Sequence, residues 1–141
     1  MMRTSFEANI RHPRDMKKIR KEYHPYLAKY YGNDQLLVDA SISEAVWNAW
    51  EHGHDQRNDY PIQLKISFLN SRLLVRVKDQ GSGFEWKPYQ VTSDIKQWFP
   101  TVEDLERRGR GITLMLRVMD VIRYNDIGNE CLLMKKYLFQ E

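Results

Sequence analysis

The sequence predicts an α+β fold, a two-layer sandwich of a mostly antiparallel sheet with helices on one face. Three observations carry that expectation. Apolar residues alternate with a period of two at Thr4–Arg11, Pro61–Leu69 and Leu73–Val77 and again toward the end. Helical periods occupy the stretch between the first two of these and the stretch after residue 110. Short polar turns at Asn70-Ser71 and Asp126-Ile-Gly-Asn129 join neighbouring strands. That order suits helices gathered on one side of a sheet.

The first strand places Phe6, Ala8 and Ile10 on one side. After Pro13, a favourable first helical position, Met16, Ile19, Tyr23, Tyr26, Leu27 and Tyr30 recur at helical spacing until Gly32-Asn33. Lys17-Lys18 and Arg20-Lys21 are expected to form the solvated face of that helix. Asp34 can cap a second helix, apolar nearly all round and therefore expected to be buried, running to Gly53. Ile62, Leu64, Ile66 and Phe68, then Leu73, Val75 and Val77, make a β-hairpin. The run from Phe84 to Arg108 has no long period and holds Pro88, Pro100, Trp86 and Trp98, which suggests a lid or binding loop. Ile112, Met115, Leu116 and Met119 make a third helical stripe. Strands follow at Val121–Tyr124 and from Glu130 to about Phe139.

Composition narrows the function classes. A length of 141 residues with 42% apolar content is read as a single domain, 1–141, able to bury a core. The +3 charge, 22 basic against 19 acidic residues, is too small and scattered for a nucleic-acid footprint, so no nucleic-acid partner is expected. No apolar run approaches membrane-spanning length and the first residues lack a signal-peptide core, so no membrane partner and a cytoplasmic location are expected. The lone Cys131 excludes an internal disulfide and, within a strand, should be inert.

Three segments could carry chemistry. Glu44 and Asn48 stand one turn apart on the second helix, with Leu37, Ala40 and Trp47 flanking the same sector. Read alone, Glu44 is first a helix-edge carboxylate that bonds a neighbouring group. As chemistry, the carboxylate could take a proton from an attacking hydroxyl, and the amide oxygen could hold magnesium against triphosphate oxygens. Asp79 continues the parity of Leu73, Val75 and Val77 and should point to the covered face, where a buried acid needs a partner. An adenine amino group would serve, with Gly81 and Gly83 admitting a flat ring; a plain turn is the simpler local alternative. Arg107-Arg-Gly-Arg-Gly111 puts guanidinium groups and mobile backbone at a helix start, a recipe for holding phosphates, though neither a P-loop nor a dinucleotide fingerprint is present. His52 and His54 have a metal-compatible spacing but lack a third ligand nearby, and no zinc site is expected.

The order of helix E-x-x-x-N, strand D-x-G-x-G, irregular loop, G-x-G and helix resembles the GHKL ATPase superfamily. Ser43–Gly53 and Leu105–Met115, followed by Met119-Asp120, resemble in particular its small anti-sigma-factor serine/threonine kinases, and the likeness runs from about residue 4 to 138. The resemblance implies a Bergerat ATP-binding fold, ATP and Mg2+ as cofactors, and a partner-switching role. Such a kinase sequesters a sigma factor and phosphorylates a serine or threonine of a small antagonist protein. It also implies Glu44 as general base, Arg107 near the terminal phosphate and Asn48 as magnesium ligand. Asp79 would read adenine, Gly81 and Gly83 would shape its pocket, and Gly109, Arg110 and Gly111 would wrap the phosphates. A homodimer is expected on the same ground. The chain departs from the pattern in having Gly128-Asn129 where Gly-Thr is usual, in Arg108 and Arg110, and in a basic pI of 9.0.

Two other functions compete. A nucleotide-gated binding module would grip a partner without transferring phosphate, but would have no use for Glu44 as a base. A detached histidine-kinase-type ATPase domain is the third reading; His24 lies in a Pro-adjacent helical stretch and not in a dimerising hairpin.

Overall fold

A computed structural model describes residues 4–53, 60–81 and 110–140, with 52, 53 and 110–113 as backbone only. Strand β1 (Thr4–Ile10) leads through a short 3-10 turn to helix α1 (Met16–Tyr31), then to helix α2 (Gln35–Asn48), which winds into a wider turn at Ala49–Gly53. Strands β2 (Ile62–Phe68) and β3 (Arg72–Lys78) follow, then helix α3 (Arg110–Val118) and strands β4 (Val121–Tyr124) and β5 (Glu130–Lys136). The sheet order is β1-β2-β3-β5-β4, and every pairing is antiparallel. The expected α+β sandwich is the observed one.

The alternation read from the sequence decides the two faces. Ile62, Leu64, Ile66, Leu73, Val75, Val77 and Leu133 are buried on one side, together with Met16, Ile19, Tyr23 and Leu27 of α1 and Met115, Leu116 and Met119 at the end of α3. Opposite them, Glu7, Lys65 and Arg76 face water and pair across strands, Lys65 with Glu7 at 3.6 Å and Arg76 with Glu130 at 3.2 Å. A hollow of about 760 Å³ lies over this outer face. Most of its charges pair across strands, so it is a solvated sheet face of the usual one-sided kind.

The helix layer departs from expectation in three ways. Helix α2 buries Val38, Ile42, Ala45 and Val46, but Leu36, Leu37 and Trp47 are 71%, 48% and 39% exposed. Counting apolar residues gave no direction, and α2 is a half-buried helix with an apolar outer edge. Asp34 sits at the start of α2 without a side-chain capping bond, because a 3-10 turn at Gly32–Asp34 carries the chain in. Arg20 leaves the expected solvated face: its guanidinium meets Asp39 at 3.0 Å and donates to Ser43 Oγ at 2.7 Å, while Tyr23 donates its hydroxyl to Asp39. This polar bolt ties α1 to α2 one residue before Glu44, and burial plus the Asp39 charge push the Tyr23 phenol well up.

The last strand is shorter than expected. Beyond Lys136 the backbone N–H groups of Leu138 and Phe139 donate to Tyr30 O, both at 3.0 Å, so the chain leaves the sheet and folds over the end of α1. Gly32, at φ 55°, lies beneath the Phe139 ring; a Cβ there would approach it to 2.9 Å.

Candidate active site

Helix α2 lies against the inner face of β3, and the end of the β3–β5 ladder faces its last turn. Ala45 and Asn48 from α2 and Ala49 just beyond it form one wall of a narrow cleft; Val77, Asp79, Asn129 and Cys131 form the other. The cleft holds about 10 Å³, room for a single water-sized group, so seating a flat base requires its walls to part.

Asp79 continues the strand parity as expected and is only 4% exposed. Its backbone N–H donates to Asn129 O at 2.9 Å, extending the register of Lys78 with Glu130 by one pair. Its Oδ1 accepts from Gly81 N at 2.7 Å, a turn closed by the side chain's own reach. The turn and the covered position therefore coexist. Asn129 donates from Nδ2 to Gly81 O at 3.3 Å, which ties the second glycine-bearing turn to β5.

The opposite wall is less complete. Asn48 Nδ2 is buried and has no hydrogen-bond partner among the described residues, as is also true of Trp50 Nε1 two residues on. Leaving a buried amide unpaired costs about 1–3 kcal/mol, and native folds keep such groups for a reason. One turn back, the Glu44 carboxyl is held above its ordinary range, first by burial and then by the charge of Glu51. A base so shifted retains more affinity for a proton than an exposed glutamate.

Residues 11–136 match the family described as histidine kinase-like ATPase domain. The chain belongs to that family. The ATPase-family assignment makes it a nucleotide-binding domain. Similar proteins include the serine-protein kinase RsbW of Bacillus velezensis, 31% identical over 77% of this chain and 68% of that protein. RsbW of Bacillus subtilis is 30% identical over 70% of this chain and 61% of its own length, and the anti-sigma F factor of Clostridium botulinum 29% over 59% and 55%. The match thus spans about half to two thirds of these relatives.

Of the expected site residues, α2 and the end of β3 bring Asn48 and Asp79 to one cleft, with Gly81 hydrogen-bonded to Asp79 behind it and Glu44 one turn along α2. Arg110 and Gly111 fall in the first turn of α3, where free N–H groups gather. Gly83, Arg107 and Gly109, the expected lid between 84 and 108 with its Trp86 and Trp98, and His54 lie outside the described residues. Among the described residues no three acidic, histidine or cysteine groups assemble a metal cage, and no helix is long and apolar enough to cross a membrane. Cys131 is buried, and burial pushes its thiol up to about 12, so it is inert as expected.

One participant escaped the sequence reading. Asn125 accepts at Oδ1 from the N–H groups of Gly128 (2.9 Å), Asn129 (2.9 Å) and Glu130 (3.2 Å), and it sets the loop that carries Asn129. An asparagine opening a turn that ends Gly-Asn was the available signal. Gly128, at φ 84°, supplies the left-handed residue this loop needs.

Proposed function

We propose that this chain is an ATP-dependent protein serine/threonine kinase and anti-sigma factor that phosphorylates a small antagonist protein in a partner-switching system. The observation that carries the proposal is the pairing, one turn apart on α2, of a partly buried glutamate, whose carboxyl is held above its ordinary range by burial and the charge of Glu51, and an asparagine at the cleft wall whose buried amide nitrogen has no partner among the described residues. The names of the relatives, serine-protein kinase and anti-sigma F factor, support the same reading.

In this account the adenine amine donates to Asp79 and the ring slides between Asn48 and the Asn129 edge. Asn48 fits magnesium: it offers one amide oxygen, and an ion that keeps several waters and phosphate oxygens asks little more of the protein. The ion, when bound, neutralises phosphate charge as the transferring group leaves. Glu44 takes the proton from the acceptor hydroxyl as that oxygen bonds to the terminal phosphorus and the bond from that phosphorus to the β,γ-bridging oxygen breaks, releasing ADP. Arg107 stabilises the charge that develops there, and Gly83, Gly109, Arg110 and Gly111 complete the pocket and the phosphate wrap. The partners are the antagonist as substrate and a sigma factor as the sequestered protein; the active form is a homodimer in the cytoplasm.

Incubating the purified chain with Mg2+, labelled ATP and antagonist-like proteins of its own cell tests the proposal. Label should appear on a serine or threonine of one partner. A chain that binds ATP and labels none of them is a nucleotide-gated binding module instead.

A further inference from the structure

The amides at the base end of the cleft form a relay whose direction is fixed by chemistry. Three backbone N–H groups, which can only donate, converge on one atom of the Asn125 side chain, so that atom must be its oxygen. The Asn125 nitrogen then faces Asn129 and donates to Asn129 Oδ1. With its oxygen so engaged, Asn129 turns its nitrogen to Gly81 O, which can only accept, at 3.3 Å. Gly81 in turn donates its N–H to Asp79 Oδ1 at 2.7 Å. Four residues from two separate segments thus form one donor-to-acceptor chain that ends on the buried carboxylate.

Both ends of the Asn129 amide are therefore used within the protein. We infer that Asn125 and Asn129 are positioning residues for base selection: through Gly81 they fix the orientation of the Asp79 carboxylate, so that the pocket takes adenine nucleotides and rejects guanine nucleotides. The chemistry is direct. Adenine presents an amine donor where guanine presents a carbonyl oxygen, and a fixed carboxylate accepts from the first and repels the second. A carboxylate free to rotate would discriminate less. The inference rests on the proposed nucleotide site and adds to it a determinant of selectivity at the position where the sequence departs from Gly-Thr.

Asn125→Asp isolates the relay from the turn. The aspartate keeps an oxygen for the three backbone N–H groups but has no donor for Asn129. Asn129→Asp removes the donor to Gly81 from the far end and provides an independent variant. Binding of ATP and of GTP is titrated for the wild type, both relay variants and Asp79→Asn, with a thermal melt of each and the ATP KM and kcat. The wild type should prefer ATP. Each relay variant should lose about threefold to tenfold of the ATP-over-GTP ratio, the range one net hydrogen bond commands, with KM for ATP raised and kcat retained. A relay effect confined to the melt, with the ratio unchanged while Asp79→Asn abolishes it, overturns the inference and leaves the site reading standing. A wild type that binds ATP and GTP alike overturns both.

Discussion

The two ends of the cleft are built on opposite plans. At the base end the side chains of Asp79, Asn129 and Asn125 are closed into the protein: Asp79 accepts from Gly81 N, Asn129 donates to Gly81 O, and Asn125 donates to Asn129 and accepts from three backbone N–H groups. At the α2 end Asn48 buries an amide nitrogen without a partner among the described residues, and one turn back along α2 the Glu44 carboxyl is pushed toward its neutral form. On the proposed reading, the difference separates recognition from chemistry. A base would be selected by groups already held in place, and phosphate chemistry would use groups that the fold leaves incompletely satisfied.

Breaking the α2 end should have the largest effect. Glu44→Ala should lower phosphotransfer by about 10²- to 10⁴-fold, the range for a general base, with ATP affinity changed less than about threefold; single-turnover transfer beside equilibrium binding checks both. Asp79→Asn, at the base end, should do the reverse and weaken ATP by about tenfold to a hundredfold through lost base contact, read by calorimetry.

Smaller effects sharpen the contrast. Asn48→Ala should weaken Mg2+-dependent nucleotide binding, yet leave the melting point of the free protein level or higher, because it removes an unpaired buried donor. A clear drop in that melting point would mean the amide is satisfied after all. Glu44 has its own linkage. With its folded pKa raised, its favourable contribution is full below the ordinary carboxylate range and is lost as pH rises through the folded value. Glu44→Gln should therefore raise the melting temperature at pH 8 and leave it unchanged near pH 4, as a melt at the two pH values reads. Finally, Glu51→Gln removes the lesser cause of the shift, so the acid limb of the pH–rate profile should move to lower pH.

The sheet was legible because its signal is a period of two interrupted by turn residues. Thr4–Ile10, Ile62–Phe68 and Val121–Tyr124 lie within a residue of their expected bounds. The helix layer was less legible, since direction depends on what packs alongside: Leu36 and Trp47 look like core residues until α1 and the sheet occupy the other side of α2. Arg20 reads as a surface charge because Asp39 and Ser43 are nearly two dozen residues away or less in sequence yet on another helix. At the site, Asp79 could be placed from strand parity alone. Asn125 could not, since its role depends on a loop conformation that brings three amides to one oxygen.

Phosphoryl transfer by wild type and Glu44→Ala, compared side by side with Mg2+, labelled ATP and the cognate antagonist, tests the central claim most directly. The account predicts label on a serine or threonine of the antagonist with the wild type, and almost none with the variant at equal ATP occupancy. Equal labelling by both proteins would contradict it.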